Sequence, residues 1–186
     1  VTATRHDDEF SELVAARSAQ LFRSAVLLTG STHAAEDLVQ TALARTYAAW
    51  WRVRRADDPV AYVHGILLKS FLSERRRRSS SEVPVAAVPD TGATARAASG
   101  PGHGADPDDT LTLLAALDRL APLDRAVVVL RYWEDLSVAR TAHDLGLSEA
   151  AVKNRSLRAL RLLREHLTDT RTDTRTNTRT DARRTP

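Results

Sequence analysis

The chain has no cysteine, and of its 186 residues only 5% are aromatic. The missing cysteines remove disulfide frameworks, thiolate zinc sites, iron–sulfur clusters and cysteine nucleophiles together, and fit a reducing, cytoplasmic setting. With few aromatics, any core must be built mainly from Leu, Val and Ala, which favours helices over strands. Long apolar runs are lacking too. None approaches the roughly 18 to 20 residues needed to cross a bilayer, and Val1 to Glu12 is polar and acidic, so the expectation is a soluble, unexported protein with no membrane segment. The six histidines (6, 33, 64, 103, 143 and 166) are dispersed, with no HExxH and no serine-centred elbow. The nearest metal-like pair, His33 with Glu36, reads as helix-cap and solvent chemistry. No metal, cofactor or catalytic residue is expected, and the chain does not read as an enzyme.

What is present is arginine, which makes up 25 of the 27 basic residues. Guanidinium suits bidentate phosphate contacts, but an Arg- and Ala-rich, Lys-poor composition also follows from a GC-rich genome. The net charge of +3 is modest and its placement is more informative. Residues 1–78 carry 12 basic and 9 acidic side chains, residues 79–109 carry 1 and 5, residues 110–167 carry 9 and 7, and the last 19 carry 5 and 3. Two mildly basic segments therefore flank an acidic spacer, and their positive charge concentrates at Arg75 to Arg78 and from Lys153 to Arg164, each closing a helical segment.

From Phe10 to Thr29, Leu13, Val14, Ala16, Leu21, Phe22, Ala25, Val26 and Leu28 recur with a helical rhythm that stops at Gly30. Ser31 or Thr32 can cap a second helix with Val39, Leu43, Thr46 and Trp50 on one face, broadened by Ala35, Leu38, Ala42 and Tyr47. WRVRRADD (51–58) breaks the pattern, and Pro59 opens a third helix running through Ile66, Leu67, Phe71 and Leu72 into the arginine run. Residues 1–78 thus read as a helical bundle. Residues 79–109 hold four prolines, four glycines and no aromatic, so they read as a flexible linker, long enough for its ends to dock far apart. Helical patterning resumes over 110–167, where the Val127 to Val129 run reads as a buried helix rather than a strand. The polar TDTR repeats of 168–186 have no face to bury and read as a disordered tail. The fold class is therefore all-α: two small helical domains, a linker and a tail.

Residues 135–163 have the logic of a helix-turn-helix. Ser137 caps a helix whose inner face is Val138, Ala142 and Leu145, Gly146 supplies a left-handed turn, and Ser148 caps the second helix. Val152, Ser156, Ala159 and Leu163 make the inner face of that helix, leaving Lys153, Asn154, Leu157, Arg158 and Arg161 outward. Early outward residues of such a helix reach base edges in the major groove while arginines engage phosphates. A plain helical hairpin with a solvated basic face is the bland alternative. For Arg75 to Arg78 the alternatives are nucleic-acid contact and a helix end stabilised by cations. Trp50 and Trp51, beside Arg52, Arg54 and Arg55, offer either a stacking platform for a single strand or buried core.

The chain resembles the extracytoplasmic-function (ECF) sigma factors, initiation subunits of bacterial RNA polymerase. AEDLVQTALARTYAAWW (35–51) resembles the clamp-binding helix of the second sigma domain, and PVAYVHGILLKSFLSERRRR (59–78) the promoter-contacting helix that follows. Residues 117–164 are similar, nearly throughout, to the fourth sigma domain. The resemblance implies that Asp37 and Gln40 contact the polymerase clamp and that a loop at about 52–58, with Arg52, Arg54 and Arg55, captures an unpaired minus-ten base. It also implies that Tyr62, Lys69, Ser73 and Arg75, Arg76, Arg77 and Arg78 lie along the melted strand and adjoining duplex. Lys153, Asn154, Leu157 and Arg158 would read the minus-thirty-five groove, with Arg161 on the backbone, and residues 130–135 would pack near the polymerase flap. Lys69 stands where the family commonly has Asn, and Asn154 where it has Ser, so promoter preference does not carry over. An anti-sigma factor is a further partner compatible with the resemblance. The rival reading is a stand-alone helix-turn-helix regulator, which leaves the AEDLVQ helix and its basic successor unexplained.

Overall fold

The computed structural model describes residues 2–80 and 107–181, with side chains described for 6–80 and 108–168. Every regular element in it is helical. Helix α1, Thr2–Thr29, ends where Gly30 adopts φ +75, a conformation that costs glycine least. α1 starts before the Phe10 boundary set by periodicity, because the polar first turns have no apolar rhythm to mark them. Ser31 caps α2, Thr32–Ala48, by accepting a hydrogen bond from the Ala34 amide. Its buried stripe is Ala35, Leu38, Val39, Ala42 and Thr46, continued by Trp50. Tyr47 departs from the expected apolar face. It is exposed, edge-on to Phe10, and its hydroxyl donates to Asp7.

The segment 51–58 holds a short helix, α3, Trp50–Val53, before a turn. The two tryptophans divide the alternatives between them: Trp50 is buried against Phe10, and Trp51 is half exposed with Arg52 stacked on its ring at 4.7 Å. Asp58 then caps α4, Pro59–Ser80, accepting from the Ala61 amide at 3.0 Å. Helix α4 buries Val63, His64, Leu67, Leu68 and Phe71 against α1 and α2.

The second segment begins with α5, Pro107–Asp118, and α6, Pro122–Val128. Val127 and Val128 are buried in helix, as the sequence reading has it, and Val129 opens a π-helical turn, Val129–Trp133. The Glu134 amide bonds back to the Val129 carbonyl at 3.0 Å, and Asp135 takes the left-handed φ of 50. Helices α7, Val138–Leu145, and α8, Glu149–Asp181, follow. The expected flexible linker falls mostly on 81–106, outside the described residues. The expected disordered tail begins within α8, whose side chains are undescribed from 169 on.

The two helical segments are packed together in one continuous core. Leu21, Val26 and Leu28 of α1 and Leu67 of α4 share it with Leu117 of α5, Leu120, and Val128 and Leu130. The two modules, which the sequence reading allowed to dock far apart, here lie in contact.

Candidate nucleic-acid interface

The helix-turn-helix is built as its sequence dictates. The Ser137 hydroxyl accepts from the Arg140 amide at 3.1 Å and the Ser148 hydroxyl from the Ala151 amide at 3.2 Å, so each helix is capped by the serine before it. Between them Gly146 sits at φ +65. Val152, Ser156, Ala159 and Leu163 are all buried, and Lys153, Asn154, Leu157, Arg158 and Arg161 are all exposed. Leu157 is 70% exposed, which is notable for an apolar side chain.

The arginines along this part of the helix have acidic partners. Asp124 of α6 is buried, and its carboxylate accepts from Arg155 at 2.7 Å through one oxygen and from Arg158 through the other, the Arg158 Nε lying at 3.0 Å. Arg161 faces Glu165 one turn on, at 4.0 Å. Lys153, Asn154 and Leu157 stand clear at the start of the helix. Sequence reading missed both Arg155 and Asp124, because no local pattern links positions 124 and 155.

In the first module Asp37 and Gln40 are exposed on the outer face of α2, with His33 3.8 Å from Asp37. Arg52, Arg54 and Arg55 are exposed around α3, and Arg54 lies 3.9 Å from Glu9. Along α4, Tyr62 and Lys69 are exposed and Ser73 half-buried. Arg76, Arg77 and Arg78 are exposed at its end, with Arg78 paired to Glu74. Arg75 separates from this group: it lies 5.6 Å over the Phe71 ring and 3.9 Å from Asp118 of the other module.

Tyr62 and Lys69 line a cleft of about 420 Å³ between the modules, with Arg45 opposite and Arg140, His143 and Asp144 of α7 across it. Deeper in the same interface, Glu134 is buried and accepts from Gln20 at 2.8 Å and from the Ser24 hydroxyl, with His64 Nδ1 3.6 Å away. Burial pushes the His64 imidazole below the ordinary histidine range; Glu134 pulls it up, but by less, and Arg17 adds to the depression. Arg125 is buried as well. Its Nε donates to the Leu27 carbonyl at 2.6 Å and an outer nitrogen donates to Asp118 at 2.9 Å. Desolvation lowers its guanidinium to about 10 despite Asp118. No group of three or more potential metal-binding side chains occurs among the described residues, and none of their helices is long and apolar enough to cross a membrane.

A capped helix-turn-helix with a basic outer face, beside a helical bundle ending in four arginines, defines a DNA-binding protein of two modules. Residues 13–81 match the family model described as Sigma-70 region 2, and residues 110–163 the one described as Sigma-70, region 4. RNA polymerase sigma-E factor of Streptomyces coelicolor is 38% identical over 162 residues, covering 86% of each chain. ECF RNA polymerase sigma factor SigL of Mycobacterium tuberculosis is 33% identical over 167 residues, covering 83% of this chain and 88% of that one. Among solved structures, the sigma factor RpoE of Bartonella quintana, in complex with the anti-sigma factor NepR, matches in fold with a TM-score of 0.69 at 24% identity. That match covers 86% of this chain and 97% of that one. The chain belongs to the ECF sigma factors, non-catalytic subunits that direct RNA polymerase to promoters through regions 2 and 4.

Proposed function

We propose that the two modules divide promoter recognition along the lines the exposed residues draw. Lys153, Asn154 and Leu157 read the minus-thirty-five duplex from the major groove, Arg158 assists them, and Arg161 contacts backbone phosphate. The short helix α3 and the turn after it, with Arg52, Arg54 and Arg55, take an unpaired minus-ten base. Tyr62, Lys69, Ser73 and Arg75 to Arg78 follow the melted strand and the duplex beside it. Asp37 and Gln40 meet the polymerase clamp, and residues 130–135 lie toward the flap. The protein works in the cytoplasm, and an anti-sigma factor that covers these surfaces is its further partner, on the precedent of the RpoE–NepR complex.

One observation carries this reading: along α8, all four inner-face positions are buried and all five outward ones exposed, on a helix whose start is fixed by a glycine turn and a serine cap. Run-off transcription with purified core polymerase tests it. Product should appear on promoters selected with the holoenzyme, and free protein alone should not shift the same duplexes tightly. Tight sequence-specific binding without polymerase, and no product with it, would return the chain to the stand-alone regulators.

A further inference from the structure

The Asp124 carboxylate is an unusual group to find behind a DNA-reading helix. Its side chain is 2% exposed, yet both arginines bound to it reach the surface, Arg155 at 31% and Arg158 at 51% exposure. Each carboxylate oxygen serves a different arginine, and Arg158 is held through Nε and a second guanidinium nitrogen. Two donors of one planar guanidinium converging on a single carboxylate oxygen restrict its orientation as well as its position. Arg155 and Arg158 are three apart on α8 and so share a face, where two free cations would repel; the anion between them removes that repulsion. Asp124 belongs to α6, outside the helix-turn-helix, in the first turn of a helix that packs on α8.

An exposed arginine ordinarily loses rotamer freedom when it meets DNA. Arg158 is already ordered. With Nε and one other donor occupied by Asp124, its remaining N–H groups lie on the far end of the guanidinium, and an arginine presents a pair of donors of this kind to guanine O6 and N7. We propose that Asp124 is a positioning residue for promoter recognition: it holds Arg158 in one orientation, from which the free end of the guanidinium reads a guanine in the upstream element. This rests on the assignment of α8 to the minus-thirty-five duplex, and adds a specificity-determining residue that does not itself touch DNA.

The test uses the full chain in holoenzyme. An upstream element is first selected from randomised duplex with the parent protein; failure to enrich any element would remove the underlying α8 assignment. D124N, R158A and the double variant are then compared on the selected element, on the same element with each guanine replaced, and on unrelated duplex. In D124N, discrimination at one guanine should fall about ten- to a hundredfold, the value of a lost bidentate contact, with binding to unrelated duplex nearly unchanged. R158A should lose discrimination at the same position, and D124N should add nothing in the R158A background. Two outcomes overturn the proposal: an equal loss on all duplexes, or a D124N effect that adds in full to that of R158A. Should D124N fail to fold, D124E replaces it, because the longer carboxylate keeps the charge and displaces the oxygen that holds Arg158, and the same two outcomes decide.

Discussion

His64 is a buried residue through which pH reaches the fold. It is 8% exposed in its side chain, faces Glu134, Arg17, Asp58 and Asp144 electrostatically, and is held below its ordinary range by burial. When the folded-state pKa is depressed, the unfolded chain binds the extra proton first. Stability present above about pH 6.5 is therefore lost as pH falls from there toward the depressed folded value. Urea midpoints should decline across that window in the parent protein and decline less in H64Q; parallel pH dependences would remove His64 from the account. Gly146 supplies a cleaner residue-scale prediction. An added Cβ would meet nothing within 4 Å, so G146A costs only the left-handed backbone at φ +65, about 1 kcal/mol by chemical denaturation. Gly30 differs, since its added Cβ would lie 3.1 Å from the Arg125 guanidinium as well as at φ +75. G30A should therefore cost more than G146A.

At the scale of elements, the recognition helix was the most legible part of the chain. Its inner face, its outward residues and both serine caps follow from period, glycine and serine positions, because a helix laid on a core repeats its environment every three or four residues. The same argument failed for Tyr47, whose position suits an apolar face but whose hydroxyl finds Asp7 at 2.7 Å, forty residues away in sequence. It was silent on Asp124 and Glu134. A lone carboxylate carries no periodic signal, and its partners are fixed by how α6 and the π-helical turn pack, which no window of sequence records. The outward face of α8 makes one further prediction. Arg161 is 72% exposed in its side chain, 4.0 Å from Glu165, and is proposed to contact backbone phosphate. R161A should weaken holoenzyme binding evenly across duplexes and reduce the slope of log affinity against log salt by about one phosphate, whereas N154A should change preference at one base step and leave the slope alone. The reverse pattern would exchange their roles.

Across the whole molecule, the α6 and π-helical segment of the second module pushes a cation and an anion into sockets on the first. Arg125 reaches the last turn of α1, where the helix dipole favours positive charge, and bonds the Leu27 carbonyl. Glu134 enters between α1 and α4 and takes Gln20, Ser24 and His64. Buried charges of this sort add little net stability over apolar contacts, because their hydration is lost on docking, but removing one partner leaves the other costly. These charges therefore fix how the modules meet without themselves making the contact harder to open, since separation returns both to water. Tyr62, Lys69 and Arg75 all lie along this junction, so its opening bears directly on the surface proposed to meet the minus-ten element. The absence of cysteine makes the junction measurable, because Glu12→Cys on α1 and Arg164→Cys on α8 would be the only two labelling sites. S24D sets a second carboxylate against Glu134 from the opposite module and should separate the dyes, lowering energy-transfer efficiency while the helical circular dichroism signal holds. E134Q keeps an acceptor for Gln20 and Ser24 and should move the efficiency less. If S24D left the efficiency at the parent value, Glu134 would not hold the modules together, and the apolar core that α1 and α4 share with the second module would have to account for their docking alone.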